Sequence, residues 1–136
     1  MIELNENVAR EMNKYLEGIT IEEILILSRR VFHFKVMFTR EQLQQDVEVL
    51  DLSVRAYHCL KRCGLSTLDK LVNGIYTKED ASSKRQLLRI RNLGRNTAEE
   101  ILIKMFYYQF NVLPDSRKRD YMQQIVMDNL GAYMVN

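Results

Sequence analysis

Proline and tryptophan are all but missing from this 136-residue chain, which has one proline, Pro114, and no tryptophan. Glycine occurs five times, and cysteine and histidine twice each. Proline removes a helical hydrogen bond and clashes with the preceding turn, so its scarcity predicts a helix-rich chain. Cys59 and Cys63 stand four apart in what reads as one helix. That spacing is neither a disulfide framework nor the Cys-x-x-Cys of a zinc or redox site. Even with His58 they offer at most three ligands, so two reduced, mostly buried thiols and no metal are expected. The start, MIELNENVAR, lacks a basic stretch followed by an apolar core, which excludes a signal peptide. No apolar run approaches the roughly 18 residues of a membrane span. These absences predict a soluble, cytoplasmic protein with no membrane partner.

The apolar fraction of 46% is ordinary for a globular protein. The length suits one compact domain, or a small domain with a sizeable extension. Net charge is +2, from 20 basic and 18 acidic residues. So mild a balance implies no nucleic-acid partner by itself, and any such reading must rest on local clustering.

Helix signals run from end to end. Asn5 or Asn7 can cap a first helix to about Leu16, with Gly18 as its stop. Thr20 with Glu23 is a capping box opening a second helix through Ile24, Leu25, Leu27 and Val31. The β-branched and aromatic run VFHFKVMF, residues 31–38, has no strand partner nearby and is read as helix or extended connector. Thr39 with Gln42 repeats the capping pattern towards Leu50. Ser53 can cap a helix that turns Val54, Tyr57, Cys59 and Leu60 inward and ends at Gly64. Ser66 caps a short helix stopping at Asn73-Gly74, and the polar stretch 74–84 follows as a loop. Leu87, Leu88 and Ile90 mark a short helix, Asn92-Leu93-Gly94 a turn, and Thr97 with Glu100 a longer helix to about Phe110. Beyond Pro114 a last helix runs through Tyr121, Ile125, Val126 and Leu130, with Gly131 after it. The predicted fold is all-α.

Little in this sequence suggests chemistry. His58 has no Ser–Asp or Cys–Asn constellation within motif reach. His33 lies in an apolar run and is read as a structural residue. Glu99 and Glu100 suit the first turn of a helix better than an acid–base pair. Met105, Phe106, Tyr107, Tyr108 and Phe110 read first as core and second as a partner-binding face. No phosphate-cradling loop or metal-hydrolase motif is present. Neither an enzyme nor a cofactor is expected.

Two pieces stand out: LSVRAYHCLKRCGL at 52–65 and LRIRNLGRNTAEEI at 88–101. Each sets basic residues on a short helix beside a glycine-marked turn, and the second has the form of a helix-hairpin-helix. A helix beginning directly after Gly94 presents unpaired N–H groups and its positive dipole end, which suit a phosphate oxygen. Lys84, Arg85, Arg89, Arg91 and Arg95 follow one another with no acid between them, as do Arg55, Lys61 and Arg62 between 52 and 68. Turn, helix start and charge coincide, which favours a nucleic-acid grip over an ordinary solvated face.

At these residues the protein resembles the C-terminal domain of the bacterial RNA polymerase α subunit. Leu50–Lys61, LDLSVRAYHCLK, follows that family's first motif, and Asn92–Ile101, NLGRNTAEEI, its second. The resemblance covers about Val47 to Phe106. It implies a compact helical domain with paired helix-hairpin-helix motifs at 47–110; the N-terminal helical extension at 1–46 and the C-terminal helix at 111–136, read from their capping and periodicity, lie outside it. It implies binding to the minor groove of A·T-rich duplex DNA, with RNA polymerase or a transcription regulator as further partners. By position, Arg55 would enter the minor groove, where narrow A-tracts concentrate negative potential. His58, Cys59 and Lys61 belong to the same face. Gly94, Arg95, Asn96 and Thr97 would hold the phosphate backbone, and Glu100 would orient basic neighbours or complete a capping box with Thr97. His58 replaces the family's asparagine and Asn96 its usual lysine, so an interaction module with a weakened DNA face is the alternative. The terminal helices could then pair into a homodimer. The sequence begins without the α subunit's N-terminal domain, and the reading is therefore of a free-standing relative.

Overall fold

The computed structural model describes residues 5–28, 32–75 and 94–134. Val31, the polar stretch after Ile75, the short helix at Leu87–Ile90 and the Asn92-Leu93 turn lie outside the described residues. Seven α-helices and one 3-10 helix, Val47–Leu50, make up the described fold, with an isolated bridge between Asp46 and Thr67 as its only sheet-like pairing. The helices are α1 Glu6–Asn13, α2 Ile21–Ser28, α3 Arg40–Leu43, α4 Val54–Arg62, α5 Leu68–Ile75, α6 Arg95–Val112 and α7 Asp115–Met134.

Local chemistry sets most helix starts. Asn5 caps α1, its side chain accepting from the N–H groups of Asn7 and Val8. At α2 the capping box is complete: Thr20 N–H donates to Glu23 (3.0 Å) and Glu23 N–H donates to the Thr20 hydroxyl (3.2 Å). Thr39 and Gln42 repeat it at α3. Ser53 caps α4 through Ala56 N–H (3.2 Å). That helix ends in a Schellman turn, with Leu65 N–H on the Leu60 carbonyl (2.9 Å), Gly64 N–H on Lys61 (3.1 Å) and Gly64 at φ +78°.

Several expectations are corrected. For the run 31–38, read as helix or extended connector, the described residues 32–38 rule out the helix and leave the connector. The helix from Thr39 does not reach Leu50, because Val47 N–H is taken by the Ser66 carbonyl (3.0 Å) and Asp46 caps a separate 3-10 helix. Thr67, not Ser66, caps α5: its hydroxyl accepts from Lys70 N–H at 3.3 Å. Asn73-Gly74 does not stop α5, nor Gly131 α7. A helical glycine costs only about 1 kcal/mol against alanine, which packing outweighs. At Gly74 a Cβ would stand 3.3 Å from Leu65, so close packing explains the glycine. Leu27 and Val54 point to solvent, 55% and 74% exposed, since α2 buries Ile21, Ile24 and Ser28 and α4 buries Ala56, Cys59 and Leu60. Cys63 is exposed, so only one of the two thiols is buried.

Helix α6 is central. Ala98, Ile101, Met105, Phe106, Tyr107, Gln109 and Phe110 are all buried along it, leaving no clean polar face. Its first turns meet α4 and the 3-10 helix, while its later turns meet the N-terminal segment and α7. Phe106 is the hub, touched by the rings of Phe32 (5.1 Å), Phe34 (5.6 Å) and Tyr121 (6.4 Å). One core cluster runs from Ala9 to Leu130, so the terminal segments share the central domain's core.

The N-terminal end is tied to α6 by Asn5 N–H donating to the Tyr107 hydroxyl (3.1 Å). Burial pushes the Tyr107 phenol up to about 12 from its usual 10. The neutral phenol is thus the form that fits the fold. Its contribution to stability is complete below pH 10 and is lost as pH rises from there through about 12. Denaturant midpoints measured between pH 8 and the alkaline limit should fall less steeply for Tyr107→Phe than for the wild type.

Candidate nucleic-acid interface

Two helix starts build the candidate site. At the first, Ser53 caps α4 and leaves Arg55 exposed in its opening turn. One turn on, His58 is also exposed, its ring edge-on to Tyr57 at 5.6 Å. Cys59 is only 4% exposed and its sulfur accepts from the Arg62 guanidinium (3.4 Å). It packs in the core and has no surface to offer a phosphate, which corrects its place among the contact residues.

Lys61 is not the solvated cation its sequence neighbours imply. Its ammonium pairs with Asp46 and sits 5.1 Å from the centre of the Tyr57 ring. The stretch from 52 to 68 carries no acid in sequence, but folding brings one to it. The hydrogen bond from Lys61 holds the Asp46 carboxyl below its usual range, and the same bond raises Lys61. The stability that Asp46 gains is present above its ordinary 3.8 and lost as pH falls below that. For Lys61 it is present below the ordinary 10.5 and lost as pH rises above it. Across the neutral range the pair stays closed.

Asp46→Asn should therefore release a cation while keeping the cap, because an asparagine oxygen can still accept from Glu48 N–H, as Asp46 does at 2.8 Å. Duplex affinity at low salt should rise severalfold, and the log–log salt slope should steepen by roughly 0.9, the share of one phosphate. Fluorescence anisotropy at several salt concentrations checks this.

At the second start, Gly94 is the N-cap of α6 with φ −76° and ψ 169°, and the helix has no cap from any side-chain group. The N–H groups of Arg95, Asn96 and Thr97 occupy its first turn, and Ala98 N–H is the first to reach back, to the Gly94 carbonyl at 3.0 Å. Arg95 and Asn96 are exposed and Thr97 is half-buried. Thr97 does not open the helix, which begins two residues earlier. Nor does Gly94 adopt a left-handed turn, and a Cβ there would meet nothing within 4 Å. Packing against the described residues thus gives no reason for glycine at 94. Lys84, Arg85, Arg89 and Arg91 lie outside the described residues.

Glu100 joins the two starts. Its carboxylate accepts from Ser53 N–H (2.5 Å) and the Ser53 hydroxyl (2.8 Å), 47 residues away in sequence. It does not close a capping box with Thr97, since α6 has no side-chain cap. The first turn of α4 is held against the second turn of α6, and Arg55 and the first-turn amides of α6 are carried on adjoining elements. Sequence reading had Ser53 only as a cap and missed Asp46 altogether; neither partner lies within a helical turn of its mate. Among the described residues no group of three His, Cys, Asp or Glu is placed to hold a metal, and no helix is long and apolar enough to cross a membrane.

Known proteins are similar to this one in sequence over the region of these elements. The sequence pattern of the family described as the C-terminal domain of the bacterial RNA polymerase alpha subunit matches residues 37–106, just over half of this protein. The α subunit of DNA-directed RNA polymerase from Bacillus velezensis is 39% identical over 79 residues, 54% of this chain and 23% of the relative. That from Heliobacterium modesticaldum is 36% identical over 103 residues, 71% of this chain and 29% of the relative. That from Desulforudis audaxviator is 33% identical over 85 residues, 58% and 24% respectively. The matched region thus spans about a quarter of the length of these curated relatives. No solved structure matches.

Proposed function

From a protein that belongs to the family of the bacterial RNA polymerase alpha C-terminal domain, a transcription-associated, DNA-binding family, we propose a non-enzymatic role: gripping duplex DNA with little sequence specificity. Arg55 enters an A·T-rich minor groove, and the amides of Arg95, Asn96 and Thr97 hold the adjoining phosphates, with the Arg95 guanidinium and Thr97 hydroxyl beside them. His58 lines the groove from the next turn of α4. The observation that carries this reading is the Ser53–Glu100 link, which fixes one helix start bearing an exposed arginine against another whose amides are uncapped. Gly94 supports it as well. A glycine whose Cβ would meet none of the described residues suits an approach from outside, where a Cβ would stand between backbone and phosphate. Glu100 acts on this face through Ser53.

The test is a salt titration on an A·T-rich duplex. Neutralising roughly three to five phosphates predicts a log–log slope of about −3 to −4.5. A flat salt response, or no binding at low salt, would remove the DNA role.

A second reading, a protein-interaction module that binds RNA polymerase, a regulator or itself, is favoured by the Lys61–Asp46 pair, which withdraws a cation from the DNA face. Ile26 and Leu27 on α2 and Met127 on α7 are exposed apolar residues on the terminal helices that such a partner could cover. Light scattering on the full-length protein, with and without duplex, separates the two.

A further inference from the structure

Helix α4 carries three cations, Arg55, Lys61 and Arg62, and they do not point the same way. Arg62 follows Arg55 by seven residues, two turns of helix, so the two share one face and stand about 10 Å apart along it. Exposed His58 lies between them on that face. Both arginines are exposed, and no carboxylate pairs with either among the described residues. Lys61 is turned about 100° away from Arg62 and is paired with Asp46. Of the two cations that end α4, only Arg62 therefore carries an open charge on the side of Arg55.

A cation suits the last turn of any helix, whose dipole is negative there, but that attraction gives it no direction. Cys59 does. The Arg62 guanidinium donates to the Cys59 sulfur at 3.4 Å, which lays the side chain back along α4 towards Arg55. Cys59 is itself fixed in the core, so the sulfur is an anchored acceptor. One such bond leaves most of the guanidinium's N–H donors for another partner. A long side chain already held against the protein also loses less rotamer freedom when it grips a ligand.

Given the DNA role above, we propose that Arg62 is a phosphate contact of the α4 face and that Cys59 is its positioning residue. The amides of α6 are fixed beside the first turn of α4 by the Ser53–Glu100 link, two turns from Arg62. With Arg55 in a minor groove about 6 Å wide, those amides and Arg62 reach backbone on different sides of it. Arg62 so takes the place that Lys61 leaves empty when it closes on Asp46. A phosphate contact positions the protein and reads no bases, which separates its signature from that of Arg55.

The test is a set of anisotropy titrations of full-length protein on an A·T-rich and a G·C-rich duplex of equal length. Arg62→Gln should weaken binding to both duplexes by the same factor, with a log–log salt slope shallower by roughly 0.9. Arg62→Lys should restore the slope, because the charge returns. Cys59→Ala keeps the charge, so its slope should match the wild type while affinity falls about twofold, the lower end of what ordering one long side chain costs. Added to Arg62→Gln it should change nothing further, a coupling that a core cavity alone would not produce. If Cys59→Ala unfolds, Cys59→Val removes the acceptor and keeps the bulk. A wild type that binds with its own salt dependence, beside an Arg62→Gln of equal slope, overturns the Arg62 contact and leaves the DNA reading standing. No wild-type binding at low salt removes both. Equal losses from Cys59→Ala with and without Arg62 overturn the positioning role.

Discussion

Arg55→Ala will weaken binding to an A·T-rich duplex by about 1–3 kcal/mol, roughly five- to 150-fold, with the fold unchanged. The size follows from what the side chain is placed to do. A narrow A-tract groove concentrates negative potential, and a guanidinium inserted there meets a field that an exposed phosphate contact does not. Arg55 is exposed in the first turn of α4, and the cap on Ser53 and the buried face of Ala56, Cys59 and Leu60 do not involve it. Its removal should shift stability by no more than about 0.5 kcal/mol, as for most surface substitutions. Anisotropy with a labelled duplex, paired with a thermal melt, separates the two effects. Equal affinity for variant and wild type would leave α4 without a DNA role.

Phe106→Ala should cost about 3–5 kcal/mol of unfolding free energy. Phe106 is fully buried at the meeting point of α6, α7 and the extended segment, against Phe32, Phe34, Tyr107 and Tyr121. Three elements would have to move together to fill the gap, so collapse around it is poor. Domains are stable by about 5–15 kcal/mol, and the loss is thus a large part of the whole. A urea melt should show a lower midpoint at unchanged slope. A loss under about 1 kcal/mol would mean that the segment repacks freely over α6.

The sequence disclosed what a few neighbouring residues decide. Thr20 with Glu23, Thr39 with Gln42, Asn5, Ser53 and Gly64 all act within one turn, and their roles follow from spacing. Gly74 and Gly131 lie within helices and neither has the left-handed backbone that makes a glycine a stop. The run at 31–38 stayed ambiguous because its partners are single side chains on α6 and α7, 72 to 96 residues away, which no local pattern reveals. The candidate site shows the same division. The exposed Arg55 and the helix start after Gly94 were visible in the motifs. The pairing of Lys61 with Asp46 and of Glu100 with Ser53 was not, because each depends on how separate helices meet.

The clasp between residues 5–33 and 107–129 also sets an order of events at the ribosome. Asn5 waits for Tyr107, Tyr15 for Gln123 and His33 for Asn129, separations of 102, 108 and 96 residues. At about 5–20 residues per second, the first-made segment emerges roughly 5–20 s before the helices that receive it. Throughout that interval Phe32 and Phe34 have no Phe106 to cover them. Within this stretch the earlier-made aromatics are then the last to be protected, and a chaperone that met them would act before their cover arrives.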